Sequence, residues 1–259
     1  MADAVDLSII APMFNEEENI AATVRRVREA LAGFGGSWEL VIVDDGSTDA
    51  SRARAEAEAA SDPRVRVAGY TPNAGRGKAL RTGFAAARGR FVVTVDFDLS
   101  YEPSHILRMH EALRREGGPD VVLVSAYMPG GTSEGVPFKR LLPSKLGNWL
   151  LRLAWPRRVY TSTCIVRGYR REALDKLALT EDGKEIHLEI LSQAFDRGLR
   201  IEEIPGHLRA RTAGKSKARL GSTMGSHLAF LARRRPWVCA GVVILALAAA
   251  ALAVWAAVR

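Results

Sequence analysis

Phe91–Ser100 reads FVVTVDFDLS, an apolar, β-branched run that ends in two aspartates separated by one residue. A short run of this kind, following Gly89-Arg90 and stopping at carboxylates, reads as a strand buried on both faces. The same pattern recurs on either side of it. LSIIA (7–11) precedes a helix expected from about 19 to 31, and LVIVDD (40–45) precedes one expected over about 49–60, with Ser47 or Thr48 as its cap. VRVAGY (65–70) is followed by RGKALRTGFAAAR (76–88), and a helix starts after Glu102-Pro103-Ser104. DVVLVSAY (120–127) is a fifth strand, and a further helix (about 185–197) and strand (IEEIP, 201–205) follow. Alternation of this kind predicts an α/β domain: a mostly parallel sheet with helices on both faces. Ligands of such sheets sit at the carboxyl ends of the strands, where Asp44, Asp45, Asp96 and Asp98 all fall.

Composition narrows the partners. The chain is 47% hydrophobic and 25% charged, which excludes a disordered chain, and its net charge of +8 favours an anionic partner. The two cysteines, Cys164 and Cys239, stand far apart, so neither a disulfide framework nor a zinc signature is present and a reducing compartment fits. MADAVDLSII lacks the features of a signal peptide. Trp237–Val258 is uncharged throughout and long enough for the about 20 residues that cross a bilayer. Arg233–Arg235 precede it and Trp237 and Trp255 flank it, so the positive-inside rule places the preceding chain in the cytoplasm. Its Ala-rich composition suits close packing, and homo-oligomerisation through this helix is an expectation. The stretch 136–155 mixes Phe138, Leu141, Trp149 and Trp155 with Lys139, Arg140 and Arg152, and reads as an amphipathic helix on a membrane surface. Residues 206–222 read as a mobile basic loop, 221–236 as a basic juxtamembrane helix, and no repeat or second soluble domain is found.

The chemistry concentrates at two strand ends. In DDGSTD (44–49) Ser47–Asp49 make a helix cap, whereas Asp44 and Asp45 can accept hydrogen bonds from ribose hydroxyls or base N–H groups. Asp96 and Asp98 are spaced i, i+2, so in an extended segment both side chains point the same way, and two hard oxygen donors suit Mg²⁺ or Mn²⁺. Lys78, within NAGRGKA (73–79), can meet phosphates or a strand-end carboxylate.

APMFNEEENI, VIVDDGSTD, NAGRGKALRTGF and VTVDFDLSYEP, in this order and spacing, resemble glycosyltransferase family 2 with its GT-A fold. SAYMPGG, FKRLLPSKLGN, VRGYRREAL, HLEI and IPGHLRARTAGKSK extend the likeness toward polyprenyl-phosphate sugar synthases of the dolichyl-phosphate mannose synthase type, as far as about residue 220. The resemblance implies that Pro12, Phe14, Glu16, Asp44 and Asp45 hold the nucleotide and that Asp96 and Asp98 hold the divalent metal and the donor diphosphate. It places Arg140, Ser144, Arg211 and Lys217 near the donor and acceptor phosphates, and Glu189 near where hydroxyl-using relatives keep their base. Three departures stand out. Ser100 replaces a metal-binding Gln, Ser125-Ala126 replaces Ser-Arg, and TSTCIVR (161–167) carries Thr161 and Cys164 as substitutions.

The resulting expectation is a single-pass enzyme of the cytoplasmic membrane whose catalytic domain (1–220) faces the cytoplasm. It would transfer a hexose, with inversion and a metal, from a nucleotide-sugar (GDP-mannose favoured) to a polyprenyl phosphate. The alternatives are a hydroxyl acceptor on a lipid or metabolite, UDP-glucose as donor, or a nucleotide-sugar-binding scaffold. Gln-x-x-Arg-Trp, the mark of processive synthases, is absent, and no motif for nucleic acid accompanies the basic charge.

Overall fold

The computed structural model describes residues 5–135, 145, 147–148, 151, 155–156, 159–209, 220–234 and 236. In chain order these form β1 (Leu7–Met13), α1 (Ile20–Ala30), β2 (Trp38–Asp45), α2 (Ser51–Ser61), β3 (Val65–Tyr70), α3 (Arg76–Ala86), β4 (Phe91–Thr94) and α4 (Ser104–Arg114). There follow β5 (Val121–Ser125), β6 (Thr132–Glu134), β7 (Arg167–Arg170), α5 (Arg171–Leu174), α6 (Ile186–Asp196), β8 (Ile201–Pro205), β9 (His207–Arg209) and α7 (Leu220–Arg234).

Seven strands form one sheet in the order β3-β2-β1-β4-β7-β5-β8. All its pairings are parallel except those of β7, which runs antiparallel to both β4 and β5. Every residue of β2, β4 and β5 is buried, which is why these strands read as unbroken apolar runs. The helices divide between the faces. α1 packs beside α2 and α4 over one face, while α3 covers β1 and β2 on the other and touches α6. In α1 the buried Ile20, Val24 and Val27 recur at helical spacing and turn one stripe to the core. Gly83 of α3 is required by close approach: a Cβ there would overlap Ile10 Cγ2 and lie 3.1 Å from Val43 Cγ2.

Several elements depart from the sequence reading. RGYR (167–170) is a strand, and its first residue is a fully buried arginine. Arg167 donates from Nε to Cys164 O (2.7 Å), from Nη1 to His187 O (3.0 Å) and from Nη2 to Ser162 O (2.7 Å), joining the 162–164 turn to the start of α6. The expected loop 206–222 contributes β9, paired with β6, and the beginning of α7. Trp155 does not lie on a surface. It is buried, its Nε1 donates to Ser162 Oγ (3.0 Å) and its ring stacks on Phe195 at 5.7 Å, while Leu151 is buried too. Asn148 is buried as well and its Oδ1 accepts from Ser162 N–H (2.8 Å), while residues 136–144, 146, 149–150 and 152–154 and the expected span 237–258 fall outside the described residues, among which no helix is long and apolar enough to cross a membrane.

Gly83→Ala should lower the free energy of unfolding by about 1–3 kcal/mol in a urea titration, because Ile10 and Val43 cannot recede from a packed helix–sheet contact. An unchanged midpoint would contradict that contact.

Candidate active site

From β1 the chain winds outward through β2 to β3, then returns to the other side of β1 as β4. The strand order therefore reverses between β1 and β4, which opens a crevice at their carboxyl ends. A cleft of about 360 Å³ occupies this place. Pro12, Met13, Phe14 and Glu16 line it from the end of β1, Asp45 from β2, Asn73 and Arg76 from the β3–α3 turn, and Asp96, Phe97 and Asp98 from beyond β4. Lys184, far along the chain, closes one wall.

Asp96 and Asp98 both face this cleft, but through a turn rather than an extended segment, since β4 ends at Thr94. Leu99 N–H donates to Asp96 O (3.0 Å) and Ser100 N–H to Asp98 Oδ1 (3.0 Å). Closing so tight a turn puts Leu99 at φ 47°, a conformation that costs an L-residue about 1–2 kcal/mol and is held here by its buried side chain. Thr23 Oγ1 donates to Phe97 O (2.7 Å) and fixes the turn to α1. Arg76 Nη2 stands 3.8 Å from Asp96 Oδ1, and Ser100 Oγ lies 3.5 Å from Asp96 Oδ2. Beneath the turn, burial and then the nearby Asp96 charge push the Cys164 thiol up to about 11, so it stays neutral.

Asp44 and Asp45 part company. Asp44 is buried and turned to its own chain: its Oδ1 accepts from Ser47 N–H (2.9 Å), and Arg52 lies 3.7 Å from Oδ2. Asp45 organises the turn after β3. Its Oδ1 accepts from Tyr70 OH (2.7 Å), Ala74 N–H (2.9 Å) and Gly75 N–H (3.0 Å), and Asn73 Nδ2 donates to its backbone oxygen (2.8 Å). Burial and then the Asp45 carboxylate hold the Tyr70 phenol well above its ordinary range, so it remains a donor. Gly75, at φ 99°, then delivers the chain into α3.

Lys78 does not line the cleft; its Nζ lies over the Tyr70 ring, 5.8 Å from the centroid. Arg76, two residues earlier and on another side of the helix, faces the cleft instead. Glu189 is also away from it. The side chain is 1% exposed, and its oxygens accept from Thr180 N–H (3.0 Å), Thr180 Oγ1 (2.8 Å) and Glu181 N–H (3.0 Å). That geometry anchors the 180–181 loop, and Glu189 is not among the described residues that line the cleft. Arg140, Ser144, Arg211 and Lys217 fall outside the described residues. Sequence reasoning missed Arg76, Asn73 and Lys184. Arg76 was inside a quoted motif, whereas Lys184 carries no local signal.

The described residues contain no group of three or more His, Cys, Asp or Glu side chains able to hold a metal. Asp96 and Asp98 with the Ser100 hydroxyl form an all-oxygen set of the kind that suits a hard divalent cation, provided that ligand phosphates and water complete the shell.

Residues 8–178 match the family model for glycosyl transferase family 2. The chain belongs to this family. It is 34% identical over 216 residues to polyprenol monophosphomannose synthase of Mycolicibacterium smegmatis, covering 81% of this chain and 79% of that one. It is 32% identical over 234 residues to dolichol-phosphate mannosyltransferase of Pyrococcus furiosus, covering 89% of this chain but only 64% of the longer relative. Among solved structures, glucosyl-3-phosphoglycerate synthase of Mycobacterium tuberculosis superposes with a TM-score of 0.68 at 23% identity, over 89% of this chain and 78% of that one. The fold is thus GT-A-like, and the protein is a family 2 glycosyltransferase.

Replacing Glu189 by Gln should lower the thermal midpoint by several degrees and leave turnover within about tenfold of the parent. Loss of a general base would instead remove about 10²–10⁴-fold, and a loss of that size with unchanged stability would overturn the anchoring role.

Proposed function

We propose that this glycosyltransferase moves a hexose, with inversion, from a nucleotide-sugar to the phosphate of a polyprenyl phosphate at the cytoplasmic face of a membrane. Mannose from GDP-mannose is the favoured donor. The observation that carries the acceptor is the similarity, over four-fifths or more of the chain, to two synthases named for polyprenol and dolichol phosphate. The basic segments and the uncharged stretch 237–258 support a membrane site of action with the catalytic domain in the cytoplasm.

The chemistry of the cleft agrees with a phosphate nucleophile. A hydroxyl acceptor must surrender a proton to a positioned base, and the carboxylate expected in that role, Glu189, is buried and bonded elsewhere. A phosphate monoester has a second pKa of about 6 and is already mostly dianionic at neutral pH, so it needs cations to orient it and no base. Pro12, Phe14 and Glu16 would cradle the nucleoside, with Asp45 ordering the turn opposite them. Asp96 and Asp98 would hold Mg²⁺ or Mn²⁺, with Ser100 reaching it through water. Such an ion supplies charge neutralisation for the departing nucleoside diphosphate. Arg76, 3.8 Å from Asp96, would meet the same leaving group.

Membranes carrying the full chain, given polyprenyl phosphate, a divalent cation and a panel of labelled nucleotide-sugars, should yield a labelled lipid whose sugar is released by mild acid. Asp98→Asn should reduce its formation by about 100-fold or more, as expected for loss of several kcal/mol of charge stabilisation. An acid-stable glycolipid would point to a hydroxyl acceptor and contradict the proposal.

A further inference from the structure

Among the described residues that line the cleft, Lys184 and Arg76 are the cations, set beside the carboxylates of Glu16, Asp45, Asp96 and Asp98. Arg76 is drawn toward Asp96. A donor diphosphate brings further negative charge into this acid-lined space, and the arginine expected at position 126 is an alanine. We infer that Lys184 contacts an anionic oxygen of the donor's diphosphate, and that α7 sets its position by gripping the loop that carries it. The inference rests on the nucleotide-sugar reading of the cleft, and is independent of which acceptor is used.

The loop before α6 is held from three sides. On the cleft side, Asp182 O accepts from Gly77 N–H (2.7 Å) and Lys78 N–H (3.2 Å), while the Asp182 carboxylate pairs with Arg81. Gly77 permits this approach, since a Cβ there would overlap Glu181 O and lie 2.7 Å from Asp182 C. From below, α6 holds the loop through Glu189, as described, and through Gln193, which exchanges two hydrogen bonds with the Ala178 backbone (2.9 and 2.7 Å). From outside comes α7. Arg233 Nη2 reaches both oxygens of Glu181 (3.1 and 3.4 Å), Arg234 approaches Glu189 (3.8 Å), and the buried His227 ring bonds the Lys184 backbone. Phe230 and Leu231 are buried and seat the helix. Burial and then the neighbouring Arg76 charge lower the Lys184 amine's affinity for its proton, a cost that an anion between the two cations would relieve. Lys184 is thus a binding residue, and Arg233 and Glu181 are positioning residues acting through it.

The test is calorimetric titration of Mn²⁺-GDP and Mn²⁺-UDP into the detergent-solubilised full chain. With the nucleotide that the parent protein binds more tightly, Lys184→Met should weaken binding about tenfold or more, on the scale of one charge-assisted hydrogen bond. Lys184→Arg should restore it to within about threefold. Arg233→Glu should weaken it about threefold with the thermal midpoint unchanged, which a merely destabilised protein would not show, and the charge exchange Glu181→Arg/Arg233→Glu should recover most of that loss. Lys184→Met binding the diphosphate like the parent would overturn the inference. So would an effect seen with a nucleotide-linked uronic acid and not with the diphosphate, because Lys184 would then read a sugar carboxylate. If these shifts appear while polyprenyl phosphate is never glycosylated, the acceptor reading fails and the role of Lys184 stands.

Discussion

The Asp45 carboxylate sits at the centre of a chain of contacts on which the cleft depends. It closes the last position of β2, and three donors, one from the end of β3 and two from the turn after it, converge on it. Because those donors include the backbone of Ala74 and Gly75, the carboxylate fixes the point and direction at which α3 begins. α3 in turn presents Arg76 to the cleft and two backbone N–H groups to Asp182. A single buried acid therefore connects the sheet, the cleft-lining turn and a loop more than a hundred residues away. Buried carboxylates are costly unless hydrogen-bonded; here the required donors are the site's own framework.

The second constraint is the turn after β4. Both Asp96 and Asp98 line the cleft from this turn, which holds Leu99 in a left-handed conformation. Strain of this kind persists where packing over-determines it, and Leu99 is enclosed by the core. The segment beyond is clipped as well: Arg209 N–H donates to Ser100 O (2.8 Å), and Tyr101 bridges to Leu208. β9 is thus hydrogen-bonded to the segment that directly follows Asp96 and Asp98.

Much of this was legible in the sequence because the relevant signals are local. LVIVDD and FVVTVD announce buried parallel strands, and their trailing aspartates announce the ligand end. What escaped depended on contacts between distant segments. RGYR is too short and too charged to read as a core strand, and only three backbone carbonyls from folded neighbours make a buried Arg167 tolerable. Trp155 looked interfacial because its flanking residues are basic, yet Phe195 and Ser162 supply an interior for it. Glu189 looked chemical because it is acidic and within a family-like motif; its partners, Thr180 and Glu181, are on a loop whose path no periodicity reveals. Lys184 was invisible for the same reason.

The proposed acceptor makes the sharpest physical distinction, because a phosphate nucleophile needs no base whereas a hydroxyl does. Mass spectrometry of the lipid products formed in parallel from a polyprenyl phosphate and from the matching phosphate-free polyprenol measures that distinction directly. The account predicts that the phosphorylated lipid alone gains one sugar. A glycosylated polyprenol, with the phosphate-bearing lipid unchanged, would contradict it.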